Sequence, residues 1–149
     1  MFLNNDVELV EHGWLDTIRD TLEPGILVGA RMRNDDHAKV DGHQVPYLDG
    51  WCLAGMRDDL LSLGGFDTTL AEPAYYSDNL LCLEARAAGM ELAEVKVGLR
   101  HLQGVTSDPG GNIGAVGYAA RKNRRVYIDR ARQLFANHQP QGKEPAWAR

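Results

Sequence analysis

Cysteine is scarce in this chain: Cys52 and Cys82 are the only two in 149 residues, and each sits in an apolar stretch. That argues against a disulfide framework and against a cysteine-based zinc centre, and leaves both as buried thiols. Long apolar runs are missing too. A stretch such as Gly25 to Ala30 is far short of the ~20 residues that a membrane-spanning helix needs. No basic-then-apolar leader opens the chain, so the expected location is the cytoplasm. Also absent are Gly-x-Gly-x-x-Gly, a phosphate loop ending in Gly-Lys-Ser/Thr, paired Cys-x-x-Cys and Gly-x-Ser-x-Gly, which removes support from most common nucleotide-binding and hydrolase classes. What is there, 44% hydrophobic and 25% charged residues, fits one globular core.

Charge is unevenly spread. Residues 1–110 carry 19 acidic and 8 basic side chains, net −11, whereas residues 111–149 carry 2 acidic and 8 basic, net +6. The patch of Arg121, Lys122, Arg124, Arg125, Arg130 and Arg132 suits phosphates, nucleic acid or an acidic membrane surface. Equally, it suits a solvated helix face balancing an acidic body.

Met1-Phe2-Leu3 reads as the end of a buried strand running into the polar turn Asn4-Asn5-Asp6, a strand without a visible beginning. Trp14, Leu15, Ile18 and Leu22 recur at helical spacing until Pro24-Gly25. Gly25 to Ala30 reads as a buried strand, residues 33–46 as a polar loop or hairpin, and Tyr47 to Met56 as another strand. A short helix with Asp58 as N-cap follows and stops at Gly64-Gly65. Ser77 or Asp78 caps the next helix, which ends at Gly89. Met90 to Val97 alternates as a half-exposed strand does. Thr106 to Gly114 reads as a loop, about Ala115 to Ala136 as the last helix, and Asn137 to Arg149 as a frayed tail.

Three places have the residue types for chemistry. Asn4-Asn5-Asp6 stands just past a strand end, where open α/β sheets bind ligands; its oxygens suit Mg²⁺ or Mn²⁺ with diphosphate oxygens completing the shell. The same triplet is ordinary turn composition. Asp78, at a helix start after Tyr75-Tyr76-Ser77, suits either a general base oriented by backbone N–H groups or a plain helix cap. His101 has an apolar neighbour and a glycine nearby at a strand end, which fits a metal or phosphate role as well as a half-buried structural histidine. Trp51, beside Gly50, reads as core or as an aromatic platform for a sugar or base.

Taken in order, these segments resemble the second half of a family 2 glycosyltransferase with the nucleotide-sugar-binding GT-A fold, most similar to bacterial rhamnosyltransferase-like members. Phe2-Leu3-Asn4-Asn5-Asp6-Val7-Glu8 followed by Gly13-Trp14-Leu15 resembles the strand ending in a DxD-type metal motif and the helix after it. Asp49-Gly50-Trp51-Cys52-Leu53 through Arg57, then Leu63-Gly64-Gly65-Phe66-Asp67, resembles the acceptor-side strand, helix and Gly-Gly-Phe-Asp turn. Tyr75 to Gly89 resembles the segment with the catalytic base, and His101 with Gly104 and Ser107 the His-x-x-Gly stretch. The family usually shows Glu-Asp where Ser77-Asp78 stands, and an acid where Asn4 stands.

The resemblance implies a partial GT-A fold: an α/β domain over residues 1–136 with a mixed sheet and flanking helices, the N-terminal nucleotide-binding half being absent, and a flexible tail over residues 137–149. It implies transfer of a sugar from a nucleotide-sugar donor to an acceptor hydroxyl on a glycan, lipid-linked carrier or protein, inverting and dependent on Mn²⁺ or Mg²⁺. Asp78 would be the base; Asn4, Asn5, Asp6 and Trp51 would face the donor; Gly65, Phe66, Asp67 and Tyr76 the acceptor; Asp6 and His101 the metal. A homo-oligomer or a separate N-terminal half would complete the site, with no nucleic-acid partner. The alternative expectation is a catalytically inactive, truncated remnant that serves as an interaction or assembly module.

Overall fold

Leu27 and Val28 are adjacent, apolar and fully buried, and since neighbouring strand residues point to opposite faces, their strand is covered on both sides. That strand organises the computed structural model, which describes residues 1–102 and 113–138. The elements in chain order are β1 (Phe2–Leu3), β2 (Val7–Leu9), α1 (Trp14–Thr21), β3 (Ile26–Gly29), β4 (Met32–Arg33), a 3₁₀ turn (Asp36–Ala38), β5 (Lys39–Val40), β6 (His43–Gln44), β7 (Tyr47–Leu48), β8 (Cys52–Gly55), α2 (Arg57–Ser62), α3 (Ser77–Ala87), β9 (Glu91–Glu94), β10 (Leu99–His101) and α4 (Ile113–His138). The fold is mixed α/β. Its four-stranded sheet has the order β1-β8-β3-β9, with β8 antiparallel to both β1 and β3, and β9 parallel to β3. Two-stranded ribbons β2–β10, β4–β7 and β5–β6 surround it.

Side-chain alternation divides the core into layers. Val28, Cys52 and Ala54 face Ile18 of α1, while Leu27, Leu48 and Leu53 face Leu81, Cys82 and Ala85 of α3. A third cluster joins Leu80 and Leu83 of α3 to Tyr127, Ala131 and Leu134 of α4, with Val40, Val45, Leu70 and Tyr76 between them. Helix α3 is thus buried on two sides, against the sheet and against α4. Asn123 fixes where α4 lies: it is fully buried, its Oδ1 accepts from the Ala71 N–H at 2.8 Å, and its Nδ2 donates to the Ala71 carbonyl at 2.9 Å. Both cysteines are free and buried, and burial pushes the Cys82 thiol up to about 12. Among the described residues no helix is long and apolar enough to cross a membrane.

Several local expectations are corrected. The segment expected as one strand from Tyr47 to Met56 is two, β7 and β8, separated by Asp49-Gly50-Trp51. There the polar groups leave the ladder: the Asp49 carboxylate binds Arg33, and the Gly50 N–H donates to Asp78. Asp58 does not cap α2, whose N-cap is Met56 without a side-chain bond. Neither Ser77 nor Asp78 caps α3; Tyr76 does, in the left-handed region at φ 72°. Phe2 and Leu3 lie at the sheet edge, 37% and 38% exposed, instead of buried. The last helix runs past Ala136 to His138, so the first two residues of the expected tail are helical. The rest of that tail, most of the Thr106 to Gly114 loop, and Gly104 lie outside the described residues.

Candidate active site

The break between β7 and β8 opens onto a cleft of about 1250 Å³. Its floor is Asp49 and Gly50 with Ser77, Asp78 and Asn79 at the start of α3; Met1 to Asn4 and Phe66 form one wall, Arg33, His37, Tyr47 and Tyr76 another, and Ala120, Arg121 and Arg124 of α4 the rim.

Asp78 is held in the cleft by backbone donors. Its Oδ2 accepts from the Gly50 N–H at 3.0 Å, and its Oδ1 accepts from the Asn79 N–H at 2.9 Å. A methyl group at Gly50 would stand 3.1 Å from the Asp78 Cβ, close enough to press the Asp78 side chain back. Burial raises the Asp78 pKa, the two N–H donors hold it down in part, and the nearby Asp49 charge raises it again. A carboxyl pushed up in this way accepts protons more readily than an ordinary aspartate.

Asp49 is neutralised by a neighbour. Arg33 Nε donates to both of its oxygens, at 2.8 and 2.7 Å, and that hydrogen bond raises the Arg33 pKa above its ordinary value. Tyr76 combines burial (8% exposed) with positive φ, a conformation that costs a non-glycine residue roughly 1–3 kcal/mol and concentrates at functional sites. Its hydroxyl lies 3.3 Å from His37 Nδ1, and its ring packs 5.6 Å from that of Tyr127. Burial raises the Tyr76 pKa while Arg124 beside it opposes the rise.

A second cluster forms where the β2–β10 ribbon meets the end of β1. Pairing of β2 with β10 sets His101 opposite Val7, and His101 Nε2 comes within 3.3 Å of Asp6 Oδ1. The His101 ring stacks on Trp51, centroids 5.2 Å apart, and Trp51 accepts from the Asn4 N–H at 2.9 Å. Asn4, Asp6, Trp51 and His101 are therefore together, and Asn4 also lines the cleft. No group of three or more His, Cys, Asp or Glu side chains suited to a metal occurs among the described residues. Asp6 and His101 supply one oxygen and one nitrogen, which suits an ion that takes its remaining ligands from substrate and water.

Of the residues expected to face an acceptor, Phe66 and Tyr76 reach the cleft, whereas Gly65 and Asp67 border a separate cavity. Asp67 Oδ1 accepts from the Thr69 N–H and hydroxyl at 2.8 and 2.7 Å, a turn-closing role that holds its carboxyl below the usual range. Asn5 is exposed in the turn after β1. Residues the sequence did not single out for the cleft are Arg33, His37 and Tyr47. Only their fold neighbours reveal them, since Arg33 meets Asp49 across 16 residues and His37 meets Tyr76 across 39. Comparison with known proteins finds no matching family model, curated protein or solved structure.

Proposed function

We propose that the cleft performs glycosyl transfer from a nucleotide-sugar to an acceptor hydroxyl, the described elements forming the metal- and acceptor-side part of a GT-A domain. The observation that carries this reading is Asp78: a carboxylate set in a large cleft by two backbone N–H groups, with its pKa raised by burial. Such a group takes the proton of an acceptor hydroxyl as the oxygen attacks the sugar's anomeric carbon, and direct displacement inverts that centre. The order of motifs along the chain supports the assignment, as does the meeting of Asn4, Asp6, Trp51 and His101 beside the cleft.

Asp6 and His101 would hold Mn²⁺ or Mg²⁺, which neutralises a diphosphate leaving group when bound. Arg33 Nε occupies both Asp49 oxygens, so Asp78, held by backbone N–H groups alone, is the cleft carboxylate assigned the proton transfer. Phe66, packed edge-on to Phe2 at 4.5 Å, and Tyr76 shape the acceptor wall. The test is sugar transfer from nucleotide-sugar donors to a panel of hydroxyl acceptors, with the Asp78→Asn variant alongside.

The second reading, an assembly module without catalysis, is favoured by the uncharged, exposed edge strand β1. Absence of transfer by the wild type across the donor and acceptor panel would favour this reading, whereas equal, measurable product formation by wild type and Asp78→Asn would remove Asp78 from the mechanism.

A further inference from the structure

The six basic residues clustered on α4 are not equivalent in the fold. Arg130 is bound to Glu84, and Arg132 Nε and Nη2 donate to Asp41 at 2.8 and 2.7 Å. Arg121 and Arg124 are different: both are exposed and line the cleft, no acidic side chain pairs with either among the described residues, and Arg124 hydrogen-bonds the neutral Tyr76 hydroxyl at the cleft wall. Three residues apart on one helix, they share a face, and Ala120 beside them leaves room in front of that face. Buried Asn123, clamped to the Ala71 backbone, fixes the rotation of α4 that presents them.

Across the cleft the charges are already spent or committed. Asp49 is bound to Arg33 and Asp36 to Lys39, so among the described cleft residues Asp78 is the acid without a cationic partner, and Arg121 and Arg124 are the arginines without an acidic one. Next to them runs the apolar wall of Met1, Phe2 and Phe66. A ligand that matches all three features has a hydroxyl, an anionic group and an apolar portion. Two arginines on one helix face that line the same cleft attract an anion into it, and Arg forks suit phosphate or carboxylate oxygens.

We propose that the acceptor in this cleft is an amphipathic anion: its phosphate or carboxylate is held by Arg121 and Arg124, and its apolar portion lies along Met1, Phe2 and Phe66. The naming of this ligand as acceptor rests on the glycosyl-transfer reading; the binding site itself rests on the cleft alone. The source of the anion is a lipid or soluble amphiphile that carries a phosphate or carboxylate.

Equilibrium binding by calorimetry tests this with four probes on the intact chain: octyl phosphate, octanoate, inorganic phosphate and octyl glucoside. Octyl phosphate should bind at least about tenfold more tightly than octyl glucoside, and Arg121→Gln or Arg124→Gln should each weaken it by about tenfold. Arg125→Gln, on the same helix but outside the cleft, is the control and should change binding less than about twofold. Octyl phosphate binding above octanoate identifies phosphate as the preferred anion, and the reverse identifies carboxylate; both support the proposal. Inorganic phosphate binding as tightly as octyl phosphate overturns the apolar half, and octyl glucoside binding as tightly overturns the anionic half. If a nucleoside diphosphate displaces octyl phosphate and loses its own affinity in both arginine variants, the pair serves the donor and the acceptor assignment is wrong. Binding needs no transfer chemistry, so an inactive protein that passes these tests refutes only the glycosyl-transfer reading. An active protein that fails them refutes only the anion site.

Discussion

In the proposed reaction Asp78 is the group that takes the acceptor's proton. A positioned general base contributes ~10²- to 10⁴-fold, so Asp78→Asn is expected to lower kcat by that order while the fold persists, as circular dichroism and product formation together check. Because burial raises its pKa, the acid limb of the kcat/KM profile should lie above the ordinary carboxylate range. The stability sign follows from the same shift. The folded state holds this proton more tightly than the unfolded chain, so the contribution of Asp78 is complete below the ordinary carboxylate pKa and is lost as pH rises from there through the raised folded-state value. In Asp78→Asn, thermal melts recorded from about pH 4 upward should show a flatter decline; an unchanged slope would mean that Asp78 is not desolvated. Gly50→Ala is the complementary test. Its new methyl would meet the Asp78 Cβ at 3.1 Å and push the side chain against its bond from the Gly50 N–H, so kcat should fall while the fold persists by circular dichroism.

At the scale of elements, the position of α4 decides the rim of the cleft, and Asn123 decides the position of α4. Asn123→Ala leaves the Ala71 N–H and carbonyl without their partners in a half-buried place. A loss of about 1–3 kcal/mol in chemical denaturation is expected, together with weakened binding of anionic probes as Arg121 and Arg124 lose their alignment. Asn123→Leu, similar in size but apolar, should not rescue either property. Helix α3 is held differently, by apolar contact on two sides. Leu83→Ala, at a fully buried position, should cost about 2–5 kcal/mol with little change in kcat per folded molecule.

For the whole molecule, the two edges of the main sheet are treated unlike each other. Edge strand β9 has Glu91 and Glu94, and charges on an edge discourage further pairing. Edge strand β1 has none, and its Phe2 and Leu3 are more than a third exposed. Pairing of β1 with another chain is therefore expected. Size-exclusion chromatography with light scattering should give a dimer or larger assembly, and a monodisperse monomer across the micromolar range would count against it.

The segments legible in the sequence are those decided by neighbours in the chain. Strand β3, helices α1 and α3, and the stop after α2 follow from apolar spacing and from Gly64-Gly65, both at positive φ. Asp6 and His101, and Asp78, were legible as candidates because motif order placed them. The break at Asp49-Gly50-Trp51, the left-handed Tyr76 before α3 and the exposure of β1 were not, because each depends on a partner elsewhere. Gly50 reaches Asp78 across 28 residues, and Asn123 reaches Ala71 across 52. A carboxylate at a helix start looks the same in the sequence whether it caps its own helix or binds a distant backbone N–H. Packing of α3 between sheet and α4 sets that choice, since it brings Gly50 within 3.0 Å of Asp78 and swings Arg121 and Arg124 over the same space.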